Sequence, residues 1–81
     1  MEIVKGLIVR SAAGRDKDNF FVVADCDSLY AYICDGKCRP ISKLKKKKKK
    51  HLFVTNTLID ESSMESNRDI RKALSKFCTK V

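Results

Sequence analysis

Lys45 to Lys50 form an unbroken run of six lysines, followed by His51 and the apolar stretch Leu52-Phe53-Val54. Residues 43–51 carry seven lysines and no acid, a charge of +7 out of a chain total of +8. Residues 1–42 balance six Lys/Arg against six Asp/Glu, and residues 52–81 add only +1. Like charges packed this tightly repel one another and cost stability without a partner. A surplus of this kind should attract a dense polyanion and bind it salt-sensitively. Nucleic acid is the commonest such partner, and an anionic membrane surface is the other. The bland alternative is a solvated loop that only aids solubility.

The 81 residues fit one small domain with a compact core. The apolar share of 43% is clustered, which argues against global disorder. No stretch approaches the ~20 apolar residues that a membrane span needs. Met1-Glu2-Ile3-Val4-Lys5-Gly6 lacks the basic start and long apolar block of a signal peptide, so the expected location is cytoplasmic, with reduced thiols. Cys26, Cys34, Cys38 and Cys78 do not form a paired Cys-x-x-Cys pattern. They are expected to be buried structural thiols, with no metal site and no cofactor.

Read in order, residues 3–10 are β-branched and apolar and form a first strand, with a bulge or bend at Gly6. Residues 11–18 read as a loop and residues 19–24 as a second strand. Asp25-Cys26-Asp27-Ser28 reads as a turn, and Leu29 to Cys34 as a third strand. Asp35-Gly36 favours a two-residue type I′ hairpin, which would pair Cys34 with Lys37 and Ile33 with Cys38. Cys34 and Cys38 would then point to opposite faces. Residues 37–41 follow as a short fourth strand, with Pro40 at an edge. After the lysine tract, residues 51–54 form a fifth strand closing against the first.

Thr57 to Glu65 reads as an ordered turn anchored by Leu58 and Ile59. Ser66 caps a helix, with Asp69 three residues on as a near capping box. Ile70, Ala73, Leu74 and Phe77 then make one apolar stripe. Such a short helix is stable only when docked. The expected fold is all-β: a small, strongly bent five-stranded barrel with a short C-terminal helix. Residues 1–57 form the barrel, including the lysine tract 43–51, and residues 58–81 form a linker and a helix packed on it. Most of Phe20, Phe21, Tyr30, Tyr32 and Phe53 are expected in the core. Tyr30 and Tyr32 share one face of their strand and could stack on unpaired bases if that face is exposed.

Val4 to Ile33 resembles the KOW motif of several ribosomal proteins and transcription elongation factors. That motif carries a glycine near its eleventh position, and Gly14 is the eleventh residue counted from Val4. The chain also looks like small KOW-domain RNA-binding proteins related to large-subunit ribosomal proteins. The matching pieces are Val4 to Val9, Gly14-Arg15-Asp16-Lys17, Phe21-Val22-Val23, Asp35-Gly36-Lys37-x-Arg39 and the basic run ending Lys50-His51-Leu52. Together they span about residues 2–57. One departure is Asp18, where many KOW motifs carry a second glycine. The resemblance implies an SH3-like barrel that binds RNA, in a ribosomal or ribosome-associated setting connected with translation.

The candidate RNA contacts are Lys43, Lys45, Lys46, Lys47, Lys48, Lys49, Lys50 and His51 in the tract. Gly14, Arg15 and Lys17 join them from the loop, Lys37 and Arg39 from the hairpin, and Arg10 from the first strand. Lysine is a point-charge phosphate binder, so backbone contact with little sequence preference is expected. No nucleophile–base pair or Gly-rich phosphate loop is present, so an enzyme is not expected, nor a small-molecule substrate. Two other readings stand. In one, the barrel is a protein-interaction adaptor whose lysines engage an acidic partner. The other is attachment to an anionic membrane, which ranks last because no lipidation signal or amphipathic helix adjoins the tract.

Overall fold

Leu7-Ile8-Val9 and Phe21-Val22-Val23 are apolar at every position, and both of their faces are covered. That is the pattern of strands buried on two sides rather than one. A computed structural model of the protein describes residues 3–12, 19–37 and 39–75. Its strands are β1 (Leu7–Ser11), β2 (Phe20–Cys26), β3 (Tyr30–Cys34), β4 (Lys45–Lys48) and β5 (Leu52–Leu58). They form one antiparallel sheet in the order β4-β3-β2-β1-β5. One α-helix among the described residues, α1 (Asn67–Ser75), follows. The expected pairing of the last strand with the first is present.

On one face, Leu7, Val9, Phe21, Val23, Ala31, Ile33 and Leu52 form a buried cluster. On the other, Ile8, Val22 and Cys34 pack under Ile70 and Leu74 of α1. The helix begins as its sequence suggests. The Ser66 hydroxyl accepts from the Asp69 amide at 3.2 Å and donates to the Asp69 carboxylate at 3.1 Å. Phe77, the expected last member of the apolar stripe, lies outside the described residues. Burial holds the Cys34 thiol up at about 11, with the Asp35 charge as a smaller cause. At neutral pH it is therefore a protonated, packed side chain, unreactive in the sense that only thiolates attack. Iodoacetamide should leave Cys34 unmodified in the folded protein and label it on denaturation. Fast labelling of Cys34 in native buffer would contradict this packing.

The sheet is rolled but not closed. Only Lys49, Lys50 and His51 separate β4 from β5, which are its two edges. A flat sheet of five strands would hold its edges ~19 Å apart, at ~4.8 Å per step. The four Cα steps from Lys48 to Leu52 reach at most ~15 Å at ~3.8 Å each, so the sheet must curl. β4 and β5 nevertheless share no ladder. The expected barrel is thus corrected to an open, curled sheet. Irregularities between Leu7 and Val9 against β5, and between Val23 and Asp25 against β3, supply the local bending. Gly6 makes the expected bend just before β1, at φ +93°. Its carbonyl accepts the Ile59 amide at 2.9 Å.

The fourth strand is the larger correction. Among the described residues, none of Lys37 and Arg39 to Ile41 pairs with β3; the lysine run itself does. Its register places Tyr30 opposite Lys48, Ala31 opposite Lys47, Tyr32 opposite Lys46 and Ile33 opposite Lys45. The two-residue Asp-Gly hairpin loses to a wider, side-chain-capped loop. The Asp35 carboxylate accepts from the amides of Lys37 at 2.8 Å and Arg39 at 2.9 Å. The Arg39 carbonyl accepts from the amides of Asp35 and Gly36. Pro40 has no amide to give a ladder, and Ile41–Lys43 form a 3-10 turn before β4. The expected pairing of Ile33 with Cys38 involves a residue outside those described.

Two smaller expectations also shift. Residues 61–64 form a 3-10 turn in the segment read as an ordered turn. Ile59 packs against the helix-side cluster, but Leu58 is 54% exposed and ends β5 opposite Leu7. Of the five aromatics assigned mainly to the core, only Phe21 is fully buried. Phe20, Tyr30 and Tyr32 are half-buried and Phe53 is exposed.

Candidate nucleic-acid interface

A strand made only of lysine is viable because it lies at an edge. Alternation sends Lys46 and Lys48 outward, while Lys45 and Lys47 are half-buried on the face of Ile33 and Ala31. Their methylene stems can cover apolar surface while the ammonium groups reach water. Lysine on an edge also discourages pairing with a second sheet. In the 3-10 turn Lys49–His51 that follows, Lys50 and His51 are exposed and Lys49 is half-buried.

Directly opposed residues share a face, so Lys46 and Lys48 stand beside Tyr32 and Tyr30. The Lys46 ammonium lies 4.3 Å from the centroid of the Tyr30 ring. A cation over an exposed ring contributes about 0.5–1 kcal/mol. Lysine charge and two aromatic rings thus occupy one surface, the combination that binds single-stranded nucleic acid elsewhere.

Asp27 fixes the turn below these rings. Its carboxylate accepts from the amides of Leu29 at 3.0 Å and Tyr30 at 2.8 Å, and from the Tyr32 hydroxyl at 3.1 Å. The Tyr30 and Leu29 amides in turn hold the Asp27 carboxyl below its ordinary value, with Tyr32 and Lys46 adding smaller effects. The same Tyr32–Asp27 bond raises the Tyr32 phenol. A carboxylate with a depressed folded-state value contributes above its unfolded value and stops contributing as pH falls through the folded one. The Leu29 and Tyr30 amide resonances should therefore titrate with a midpoint below that of an ordinary aspartate. In Asp27→Ala that titration should vanish. A midpoint at or above the ordinary value would contradict the turn geometry.

Ser28, Leu29 and Tyr30 form one wall of a groove of about 390 Å³, and Lys48, Lys49 and Lys50 form the other. The Lys49 amide donates to the Leu29 carbonyl at 2.9 Å and joins the two walls. Sequence reasoning missed Ser28, Leu29 and Asp27. The Asp-x-Leu-Tyr order does signal a side-chain-capped turn, but nothing in it shows that the lysines lie alongside.

The remaining candidates are dispersed. Lys37 and Lys43 are exposed and Arg39 is half-buried, all in the β3–β4 connection. Arg10 lies across the sheet on β1, its guanidinium 4.9 Å from the centroid of Phe53. It is half-buried. Gly14, Arg15 and Lys17 lie outside the described residues.

Among the described residues, no group of three or more His, Cys, Asp or Glu could hold a metal ion. Cys26 packs on the cluster containing Leu52, and Cys34 on the one under α1, so these two thiols serve opposite faces. No helix among the described residues is long and apolar enough to cross a membrane. Neither the protein-family models nor the curated proteins compared with the chain give a match.

Proposed function

We propose that the protein is a non-enzymatic RNA-binding module of the KOW type, with an SH3-like arrangement of strands. It grips the phosphate backbone through β4 and the turn that follows. The observation that carries this reading is the register of β4 on β3, which sets a row of lysines beside Tyr30 and Tyr32. The sheet order β4-β3-β2-β1-β5, with a 3-10 turn between the last two strands, suits an SH3-like topology. The resemblance of Val4 to Ile33 to the KOW motif supplies the expected context, ribosomal RNA. The contact is electrostatic and reads backbone, because lysine lacks the planar fork that reads base edges.

The test is a salt titration with labelled single-stranded RNA. About five neutralised phosphates give a slope of log affinity against log salt of roughly −3.5, at ~0.7 per phosphate. A slope near zero, or no binding at low salt, would overturn the reading. One observation favours a second reading. β4 is an open sheet edge, and an acidic extended peptide could add to it as a further strand. That adaptor should bind acidic peptide in the same titration and leave RNA unbound.

A further inference from the structure

The groove beside Tyr30 is built before any ligand arrives. Asp27 holds the Leu29 and Tyr30 amides on one wall, and the Lys49–Leu29 backbone bond ties in the other. Its apolar surface comes from Leu29, which is 68% exposed, and from half-buried Tyr30. At about 390 Å³ the space lies at the small end of small-molecule sites, which run roughly 300–1,000 Å³. Lys46, which sits over the Tyr30 ring, does not line the groove. The lining is therefore an aromatic and apolar wall facing three consecutive lysines.

We infer that this groove seats one unpaired base of a single-stranded RNA, with the flanking phosphates on Lys48, Lys49 and Lys50. The inference rests on the RNA-binding reading and adds to it the substrate class. The chemistry discriminates between strand types. A duplex keeps its bases stacked and has none to insert, whereas an unpaired strand can splay one onto an aromatic ring. Binding by charge alone would instead favour the duplex, which carries the denser array of phosphates.

Fluorescence anisotropy on the full chain tests this with three labelled probes: an oligouridine, an abasic strand of the same length, and a duplex of matched charge. The oligouridine should bind about tenfold tighter than the abasic strand, the effect of one stacked base. It should also bind tighter than the duplex. Tyr30→Ala and Leu29→Ser should each remove most of that advantage, so that oligouridine and abasic strand bind alike. Leu29 is exposed enough that its substitution spares the fold, so the comparison holds even where Tyr30→Ala unfolds. Equal binding of oligouridine and abasic strand would overturn the groove while the RNA reading stands. Wild-type protein that binds none of the probes would overturn both.

Discussion

Replacing all six of Lys45 to Lys50 with glutamine should lower affinity for single-stranded RNA at least about a hundredfold at low salt, since the electrostatic component supplies essentially all non-specific binding. The salt slope should collapse toward that of the remaining basic groups. Partial variants follow from the alternation on β4. Lys46, Lys48 and Lys50 are exposed, whereas Lys45, Lys47 and Lys49 are half-buried. Lys46→Gln, Lys48→Gln and Lys50→Gln combined should therefore lose more affinity than the complementary triple. The fold should survive, because glutamine keeps the edge strand and removes mutual repulsion. A melting temperature equal to or above that of the wild type is expected. Undiminished affinity in the sixfold variant would remove β4 from the interface.

Gly36→Val should detach the C-terminal helix. Gly36 adopts φ +77°, and a Cβ placed there would meet the Asn67 carbonyl oxygen at 2.5 Å and the Arg71 Cγ at 2.9 Å. The Asn67 carbonyl oxygen belongs to the helix backbone and cannot swing aside. The left-handed conformation alone costs a non-glycine residue about 1–3 kcal/mol, and β-branching makes it worse. The seat would lose the Arg71 guanidinium bond to the Gly36 carbonyl at 2.7 Å and the Asn67 bond to the Ile41 amide at 2.8 Å. A helix of nine residues cannot persist undocked. Ile70 and Leu74 would leave the cluster that covers Cys34.

The expected result is a stability loss of several kcal/mol, against a total of roughly 4–12 kcal/mol for a chain of this size. Loss of helical circular dichroism and rapid alkylation of Cys34 should accompany it. Arg71→Ala removes one bond without a clash and should give a milder form of the same effect. Wild-type stability in Gly36→Val would show that the helix does not depend on this seat.

The sequence reading and the fold agree where a residue's chemistry acts locally. Ser66 and Asp69 sit at capping spacing, and Ile70 and Leu74 at helical spacing, so α1 was legible. The apolar runs of β1 and β2 were legible too. β4 was not, because periodicity is invisible in a homopolymer: six identical residues show neither an alternating nor a helical pattern. Lysine also has weak strand preference, and here its edge position overrides that preference. Asp35-Gly36 misled for a related reason. The dipeptide suits a two-residue hairpin, but the Asp35 carboxylate can instead cap the amides of Lys37 and Arg39, and the helix seated on Gly36 favours that wider loop. The charge of the candidate site was evident from composition. Its groove depends on the register of β4 against β3, which places Lys48 opposite Tyr30, and that is a tertiary fact.

Ultraviolet cross-linking of the tagged protein in its native cells, followed by sequencing of the attached RNA, tests the central claim most directly. The account predicts RNA recovery well above a non-binding control, reads concentrated on ribosomal RNA, and loss of the signal when Lys45 to Lys50 are replaced with glutamine. Recovery no better than the control, or recovery indifferent to the lysines, would contradict it.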